Sequence, residues 1–273
     1  MRIARTLPQL REALETLGPV GLVPTMGALH AGHLSLLAAA QAAKRAVVAS
    51  IFVNPTQFGP NEDFARYPRD EAGDLAKLEA AGCDLAWLPD VAVMYPPGAA
   101  SMITVEGPAL RWEGAARPGH FAGVATVVAK LFGQVRPAAA YFGEKDWQQV
   151  QVIRRMVEDL LLPVEVVPVA IMREADGLAL SSRNRFLSPA ERAASPALFA
   201  ALTEAARRIG AGEDVALCLE AAKAALRMAE MAPDYLALVQ AQSMEPLAAL
   251  ARPARILAAA KLGSVRLLDN VPV

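Results

Sequence analysis

Short apolar segments alternating with amphipathic segments constrain the fold of this chain more than any other feature of its sequence. Apolar, often β-branched runs predict buried strands at residues 20–25, 46–53, 84–89, 139–142 and 164–169. Apolar residues at helical spacing predict helices at residues 33–45, 71–82, 123–135 and 146–160. Buried strands separated by helices are typical of a parallel sheet covered on both faces. We therefore predict an α/β fold for this part of the chain.

Three further features belong to the same region. The first 18 residues predict a strand or arm followed by an amphipathic helix, and residues 102–106 predict another strand. Asp146 is predicted to cap the helix that follows it, because an aspartate side chain accepts the unpaired N–H groups of a first turn.

The pattern changes near residue 175. Two consecutive helices are predicted at residues 188–210 and 214–231, followed by strands at 234–240, 254–263 and 264–270. Gly263–Ser264 has the composition of a two-residue hairpin turn. Helices followed by antiparallel strands indicate a separate α+β domain. We predict domains at residues 1–175 and 176–273.

Composition excludes several classes of protein. Of 273 residues, 54% are hydrophobic and 20% charged, which indicates a folded globular chain. The formal net charge of -1 provides no overall field to attract nucleic acid or an anionic membrane. Cys83 and Cys218 lie far apart and suit reduced thiols of a cytosolic protein. We expect a cytoplasmic protein with neither a membrane span nor a nucleic-acid partner.

Two of the three histidines, His30 and His33, follow the first predicted core strand. Gly27 and Gly32 allow the backbone to turn sharply there. Residues three apart share one face of a helical turn, and free N–H groups at a helix start attract phosphate. We therefore interpret the pair as a site for an anion. Capping or packing histidines are one alternative; a metal pair is another, but it lacks an evident third ligand.

Polar residues also follow the other predicted strands, and ligands bind at the carboxyl ends of such strands. Lys145 is placed to neutralise a phosphate, and Asp146 to cap a helix or to hold a ribose. The hydroxyl- and guanidinium-rich residues Ser181, Ser182 and Arg183 suit a clamp on the β- and γ-phosphates. The alternative for each is an ordinary exposed turn. The sequence contains neither a P-loop pattern nor a G-x-G-x-x-G pattern.

Neutral amides form a second group of candidates. Asn54 and Gln57 follow the second core strand, and Gln149 lies one helical turn beyond Lys145. Such groups suit the recognition of hydroxyl and carboxylate groups, although loop and cap hydrogen bonds would also explain them. Tyr67, Arg117 and His120 are weaker candidates.

These segments together resemble the pantoate–β-alanine ligase family, the pantothenate synthetases, over nearly the whole chain. The matching stretches are PTMGALHAGH, FVNPTQF, NEDFARYPRD, RPGHF, YFGEKDWQQ and READGLALSSRN, in the family's order. The first is similar to the His-Ile-Gly-His signature of the nucleotidyltransferase superfamily. SSRN stands where class I synthetases have Lys-Met-Ser-Lys-Ser. Leu180 departs from the family's usual methionine, with little effect expected.

The resemblance implies a Rossmann-like N-terminal domain, a smaller C-terminal lid domain and a homodimer. It implies that the carboxylate of (R)-pantoate attacks the α-phosphorus of ATP, with Mg²⁺ present, and that β-alanine then converts pantoyl adenylate to pantothenate and AMP. His33 would be the proton donor, acting beside His30, Lys145, Ser181, Ser182 and Arg183. Gln57 would contact pantoate and β-alanine, Gln149 would contact pantoate, and Asn54 lies in the same pocket. The residues implied to contact ATP are Met26, Gly27, Ala28, Leu29, His30, Ala31, Gly32, His33, Gly143, Glu144, Lys145, Asp146, Met172, Leu180, Ser181, Ser182 and Arg183.

Two other functions remain open from the residues alone. One is a nucleotidyltransferase that transfers a nucleotide to a small phosphorylated molecule, although the Asn54–Gln57 loop suggests a second substrate pocket. The other is a regulatory module that binds ATP without catalysis. A tRNA synthetase is disfavoured by the short, nearly neutral chain.

Overall fold

The computed structural model describes residues 1–60, 62 and 64–273, which group into two compact units. The first unit comprises residues 1–144 and 148–170, and the second comprises residues 145–147 and 171–273. Each unit has its own sheet and its own apolar core.

The first unit is built on a parallel sheet. In the described residues it has six strands in the order β1-β4-β3-β2-β5-β6. Their bounds are β1 Arg2–Ala4, β2 Val20–Thr25, β3 Ala46–Ile51, β4 Leu85–Trp87, β5 Ala139–Gly143 and β6 Glu165–Val169. The central strands are apolar on both faces, which confirms the predicted α/β sheet.

Helices cover both faces of this sheet. They are α1 Leu7–Leu14, α2 Ala31–Ala42, α3 Glu71–Ala80, the short α4 Val91–Met94 and α5 Glu113–Ala116, α6 His120–Val135 and α7 Trp147–Asp159. One core joins Leu22 of β2 to α1, α6 and α7, and a second joins Val23 to α2 and α3. Adjacent residues enter opposite cores because strand side chains alternate between faces.

The prediction of a strand at residues 102–106 is wrong. The segment packs against α6 instead of joining the sheet: Val105 is buried, and the N–H of Ile103 donates to Oγ1 of Thr126 at 2.9 Å. Its alternating apolar residues face a helix, which satisfies the same burial pattern without a strand partner. The predicted helix at 123–135 is confirmed, but it begins earlier, at His120.

The strand order creates one switch point. The chain proceeds from β2 through β3 to β4 on one side of the sheet, and from β5 to β6 on the other. The crevice between the carboxyl ends of β2 and β5 is where an open α/β sheet binds its ligand. Met26–His33 leaves the end of β2, while Gly143 ends β5 and Glu144 follows it.

The second unit is α+β, as predicted. Its helices are α8 Pro189–Ala194, α9 Ala197–Gly210 and α10 Val215–Met228, and its antiparallel strands, in the order β7-β8-β9, are β7 Met231–Gln240, β8 Ala254–Leu262 and β9 Val265–Pro272. The single helix predicted at 188–210 is divided, because Pro196 lacks an N–H and disfavours helical backbone before it.

The predicted hairpin turn at Gly263–Ser264 is confirmed. Leu262 pairs with Val265, and Gly263 has a φ of +56°.

Within the described part of the chain, every helix is too short or too polar to cross a bilayer.

Candidate active site

The loop between β2 and α2 is shaped by a buried carboxylate. Gly27 and Ala28 both have left-handed backbone, with φ of +82° and +53°. Asp74 of α3 is 1% exposed and accepts the N–H of Ala28 at 2.8 Å and that of Leu29 at 2.7 Å. A Cβ on Gly27 would lie 2.9 Å from Oδ2 of Asp74. The glycine therefore allows the close approach that these hydrogen bonds require.

His30 and His33 form a reciprocal cap at the start of α2. Nδ1 of His30 accepts the N–H of Gly32 at 3.1 Å, and Nδ1 of His33 accepts the N–H of His30 at 3.3 Å. The ring centroids are 4.2 Å apart, so the two histidines do lie together as predicted. Because both Nδ1 atoms accept, each neutral ring has its proton on Nε2.

This cap corrects one expectation about phosphate binding. The N–H of Gly32 is bonded to His30, and the N–H of His33 donates to the carbonyl of His30 at 2.8 Å. These groups are therefore not the free donors that the sequence suggested. The cap uses Nδ1 of each imidazole, so the Nε2–H group is the polar donor of each ring that the cap does not involve.

A second cluster surrounds Asn54 and Gln57. Asn54 is 1% exposed, and its Nδ2 donates to Oε1 of Gln57 and to the carbonyl of Gly123, both at 3.1 Å. Its Oδ1 accepts the hydroxyl of Tyr95 at 2.8 Å. Nε2 of Gln57 lies 3.1 Å from Sδ of Met26. The cluster therefore brings together residues predicted for the substrates and for ATP.

Arg117 and His120 both contact the backbone carbonyl of Gln57. The carbonyl of Gln57 is 2.9 Å from Nδ1 of His120, which must donate, and 3.4 Å from Nη2 of Arg117. Arg117 also forms a two-pronged ion pair with Glu62, with distances of 2.7 and 2.6 Å. These two weaker candidates thus contact a predicted substrate residue through its backbone.

The charges in this network favour a neutral His120. Burial lowers the pKa of His120 from its usual 6.5, and the Arg117 guanidinium lowers it further. The hydrogen bonds from Arg117 lower the pKa of the Glu62 carboxyl. Nε2 of His120 lies 3.1 Å from Nη1 of Arg117, so the neutral ring accepts there and donates from Nδ1.

In the second unit, three of the predicted residues line one cavity. Its lining includes Lys145, Ser181 and Arg183, together with Asn184, Arg266 and Asp269. Nζ of Lys145 lies 3.5 Å from Oδ1 of Asp146. Lys145 and Arg183 contribute two cations to this lining, and Ser181 contributes a hydroxyl, which are side-chain groups that bind phosphate oxygens.

The other predicted residues lie outside the lining of this cavity. Ser182 begins a 3₁₀ turn, and Asp146 directly precedes α7. Met172 is exposed, and its carbonyl accepts the N–H of Leu180 at 2.9 Å. Gln149 is half-buried on α7.

The sequence did not predict two buried polar residues that form hydrogen bonds to loop segments. Asp74 is one: its helix was predicted, but no local pattern distinguishes the carboxylate that turns inward. Gln148 is another, because it is buried and bonds Pro108, Arg111 and Glu113. Of the NEDFARYPRD stretch, Asn61 and Asp63 lie outside the described residues.

The fold defines a Rossmann-like α/β enzyme, a class that binds its ligands at the carboxyl ends of the strands. The family model described as Pantoate-beta-alanine ligase matches residues 2–272, so this chain belongs to that family. A pantothenate synthetase of Granulibacter bethesdensis is 58% identical over 277 residues, covering 99% of this chain and 96% of the relative.

Solved structures agree with this assignment. A crystal structure of pantothenate synthetase from Thermus thermophilus is 52% identical, with a TM-score of 0.95 over 99% of both chains. A pantoate-beta-alanine ligase from Francisella tularensis, complexed with beta-gamma ATP and beta-alanine, is 33% identical. Its TM-score is 0.85, covering 100% of this chain and 97% of the other.

The activity follows from the family. The chain is an ATP-dependent, AMP-forming ligase that condenses (R)-pantoate with β-alanine through pantoyl adenylate, giving pantothenate, AMP and pyrophosphate.

Proposed function

We propose that His30 and His33 stabilise the triphosphate through their Nε2–H groups during adenylation. The observation that supports this role is the pair of Nδ1 atoms that accept backbone N–H groups. In the first step a pantoate carboxylate oxygen bonds to the α-phosphorus, and the bond to the pyrophosphate oxygen breaks. The nucleophile is already ionised, so this step needs stabilisation of charge rather than a base. His33 donates to the departing pyrophosphate.

Lys145, Ser181, Ser182 and Arg183 are also proposed to bind phosphate groups of ATP. Their cationic and hydroxyl groups match phosphate oxygens, and three of the four line one cavity. The wider ATP contacts are proposed as Met26–His33, Gly143–Asp146, Met172 and Leu180–Arg183. We assign residues 1–175 to nucleotide and pantoate binding and residues 176–273 to the lid domain. The grouping of residues 171–273 into one unit supports a boundary in this region.

Gln57 is proposed to contact pantoate and β-alanine, with Gln149 contacting pantoate and Asn54 completing the pocket. The hydrogen bond from Asn54 orients the Gln57 amide, which supports a shared role. In the second step the amine of β-alanine bonds to the acyl carbon, and the bond to AMP breaks. The amine must lose a proton, and the phosphate of the adenylate or a water accepts it.

The nucleotide substrate is proposed to be MgATP. The described residues contain no group of three or more His, Cys, Asp or Glu side chains arranged to hold a metal ion. That suits magnesium carried mainly by phosphates and water, as is usual for this ion.

We also propose a cytoplasmic homodimer, as the resemblance implies.

The experiment measures pyrophosphate and AMP release from MgATP, with pantoate alone and then with β-alanine. We expect pantoate-dependent pyrophosphate, with AMP and pantothenate appearing only after β-alanine is added. The same assay on His33→Ala tests the assigned role, and a loss of about 100-fold or more is expected. Near wild-type pyrophosphate release in a folded His33→Ala variant would remove His33 from the mechanism.

A further inference from the structure

A buried acid–amide pair on the last strand joins two segments that are far apart in sequence. Asp269 and Asn270 of β9 are 4% and 2% exposed. Asn270 is bonded to Lys145, and Asp269 is bonded to Arg173, eight residues before Ser181. All of these contacts lie within the second unit, as does the cavity that Asp269 and Lys145 both line.

Asp269 holds the hairpin that leads into Ser181. Residues 172–180 form this hairpin: Leu180 donates its N–H to the carbonyl of Met172 at 2.9 Å. The Arg173 guanidinium forms a two-pronged ion pair with Asp269, at 2.6 and 2.9 Å. Two parallel hydrogen bonds fix the orientation of both partners more tightly than one contact does.

Arg173 is also fixed from two other directions. Its Nη1 donates to the carbonyl of Gly177, at the tip of the hairpin, at 3.0 Å. Its guanidinium lies over the ring of Phe199 on α9, 3.8 Å from the centroid. Asp269 therefore anchors the hairpin to β9 at a point eight residues before Ser181.

Asn270 holds the segment that carries Lys145. Its Nδ2 donates to the carbonyl of Lys145 at 3.0 Å, and its Oδ1 accepts Nη1 of Arg255 at 2.5 Å. The Arg255 guanidinium in turn lies 3.8 Å from the ring centroid of Trp147. The backbone of Lys145 is thus fixed by a side chain 125 residues later in the chain.

We propose that Asp269 and Asn270 are positioning residues for adenylation, because one strand sets the location of both Lys145 and the Ser181–Arg183 loop. The inference rests on the proposed phosphate-binding role of these segments. Neither Asp269 nor Asn270 needs to contact ATP. Misplacing a binding group by about 1 Å costs on the order of 100-fold in rate. Loss of the contact made by Asp269 or by Asn270 should therefore lower the rate of adenylation.

The test uses variants of similar shape. Asn270→Asp removes the donor to Lys145 while leaving an acceptor for Arg255. Arg173→Lys removes the two-pronged pair with Asp269. Its matched control is Arg192→Lys: Arg192 of α8 forms a partly exposed ion pair with Asp176 of the same hairpin, at 2.6 Å.

Two assays separate positioning from general damage. Pantoate-dependent exchange of pyrophosphate into ATP reports the first step, which needs the β- and γ-phosphates. Aminolysis of supplied pantoyl adenylate by β-alanine reports the second step, whose substrate lacks both. We expect Asn270→Asp and Arg173→Lys to lower exchange by about 10- to 100-fold, with aminolysis and the control nearly unchanged. A parallel fall in both assays, or no fall in exchange, overturns the inference.

Lys145→Ala distinguishes this inference from the function on which it rests. Normal exchange in Lys145→Ala would reject the phosphate role of Lys145, and with it the role of Asn270. Impaired exchange in Lys145→Ala with normal exchange in Asn270→Asp would reject only the role of Asn270. If Asn270 acts through Lys145, the double variant should be no slower than Lys145→Ala alone. Additive losses would contradict the proposal.

Discussion

The backbone N–H of His30 holds the imidazole of His33 in a single tautomer. The N–H of His30 donates to Nδ1 of His33, and Nδ1 of His30 accepts the N–H of Gly32, one residue before His33. A protonated imidazole has no lone pair for such a bond, so this cap selects neutral rings with the proton on Nε2. The cap and the proposed chemistry therefore use different nitrogens of the same ring, and substitutions can separate them.

The first prediction separates these two functions of His33. His33→Asn retains an acceptor near the Nδ1 position but loses the distal donor, so its stability should stay near wild type while adenylation falls about 100-fold or more. His33→Gln retains a distal N–H, and its Oε1 can still accept the N–H of His30, as Oε1 of Gln9 accepts that of Thr6 at the start of α1. Its unfolding free energy should also stay near wild type, with more adenylation remaining than in the asparagine variant. Urea unfolding and pyrophosphate release measure the two effects; greater activity in His33→Asn would contradict the assignment.

The second prediction concerns Asp74. In Asp74→Asn, an amide NH₂ group replaces one of the two carboxylate oxygens. The N–H of Ala28 or that of Leu29 therefore loses its acceptor and faces a donor instead. We expect a loss of about 1–3 kcal/mol in unfolding free energy and slower adenylation.

Asp70→Asn is the matched control for Asp74. Asp70 caps the same helix by accepting the N–H of Gly73 at 3.0 Å, and asparagine caps helices equally well. The control should behave like wild type in urea unfolding and pyrophosphate release. Equal effects in the two variants would show that the Asp74 carboxylate has no special role in the loop.

The third prediction compares two glycines of α6. A Cβ on Gly123 would lie 2.4 Å from the carbonyl oxygen of Thr56, so Gly123→Ala should displace the turn that carries Gln57. Such overpacking costs about 1–3 kcal/mol, and the KM values for pantoate and β-alanine should rise roughly tenfold. A Cβ on Gly133 meets nothing within 4 Å, so Gly133→Ala should stabilise the helix by about 0.5–1 kcal/mol. Steady-state kinetics in which both variants keep wild-type KM values would contradict the placement of Gln57.

The fourth prediction is a pH dependence of stability. Burial lowers the folded-state pKa of His120 below its usual 6.5, and its charged neighbours are Arg117, Glu62 and Glu113. The unfolded chain therefore binds the proton first as pH falls. This contribution to stability is fully present above pH 6.5 and is lost as pH falls below that value, by at most about 1.4 kcal/mol per pH unit.

His120→Asn tests this dependence, because its amide can still donate to the carbonyl of Gln57 but cannot titrate. Urea unfolding between about pH 5 and pH 8 should show a shallower decline for His120→Asn than for the wild type. Identical slopes would mean that His120 titrates alike in the folded and unfolded chain.

The local pattern of the sequence was enough to predict the parallel sheet, the hairpin at Gly263 and the neighbouring placement of His30 and His33. Burial periodicity and turn chemistry act over a few residues, so they can be read directly from the chain. The same limits explain the errors. Residues 102–106 satisfied a strand pattern by packing against α6, and the break at Pro196 was missed within a long apolar pattern.

The sequence by itself determined which residue types occupy the ends of the strands, and hence the family. Only the tertiary structure decided what holds them in place. Asp74 reaches Ala28 across 46 residues, His120 reaches Gln57 across 63, and Asn270 reaches Lys145 across 125. No local propensity encodes such pairs, because each depends on the packing of elements that are brought together only when the whole unit folds.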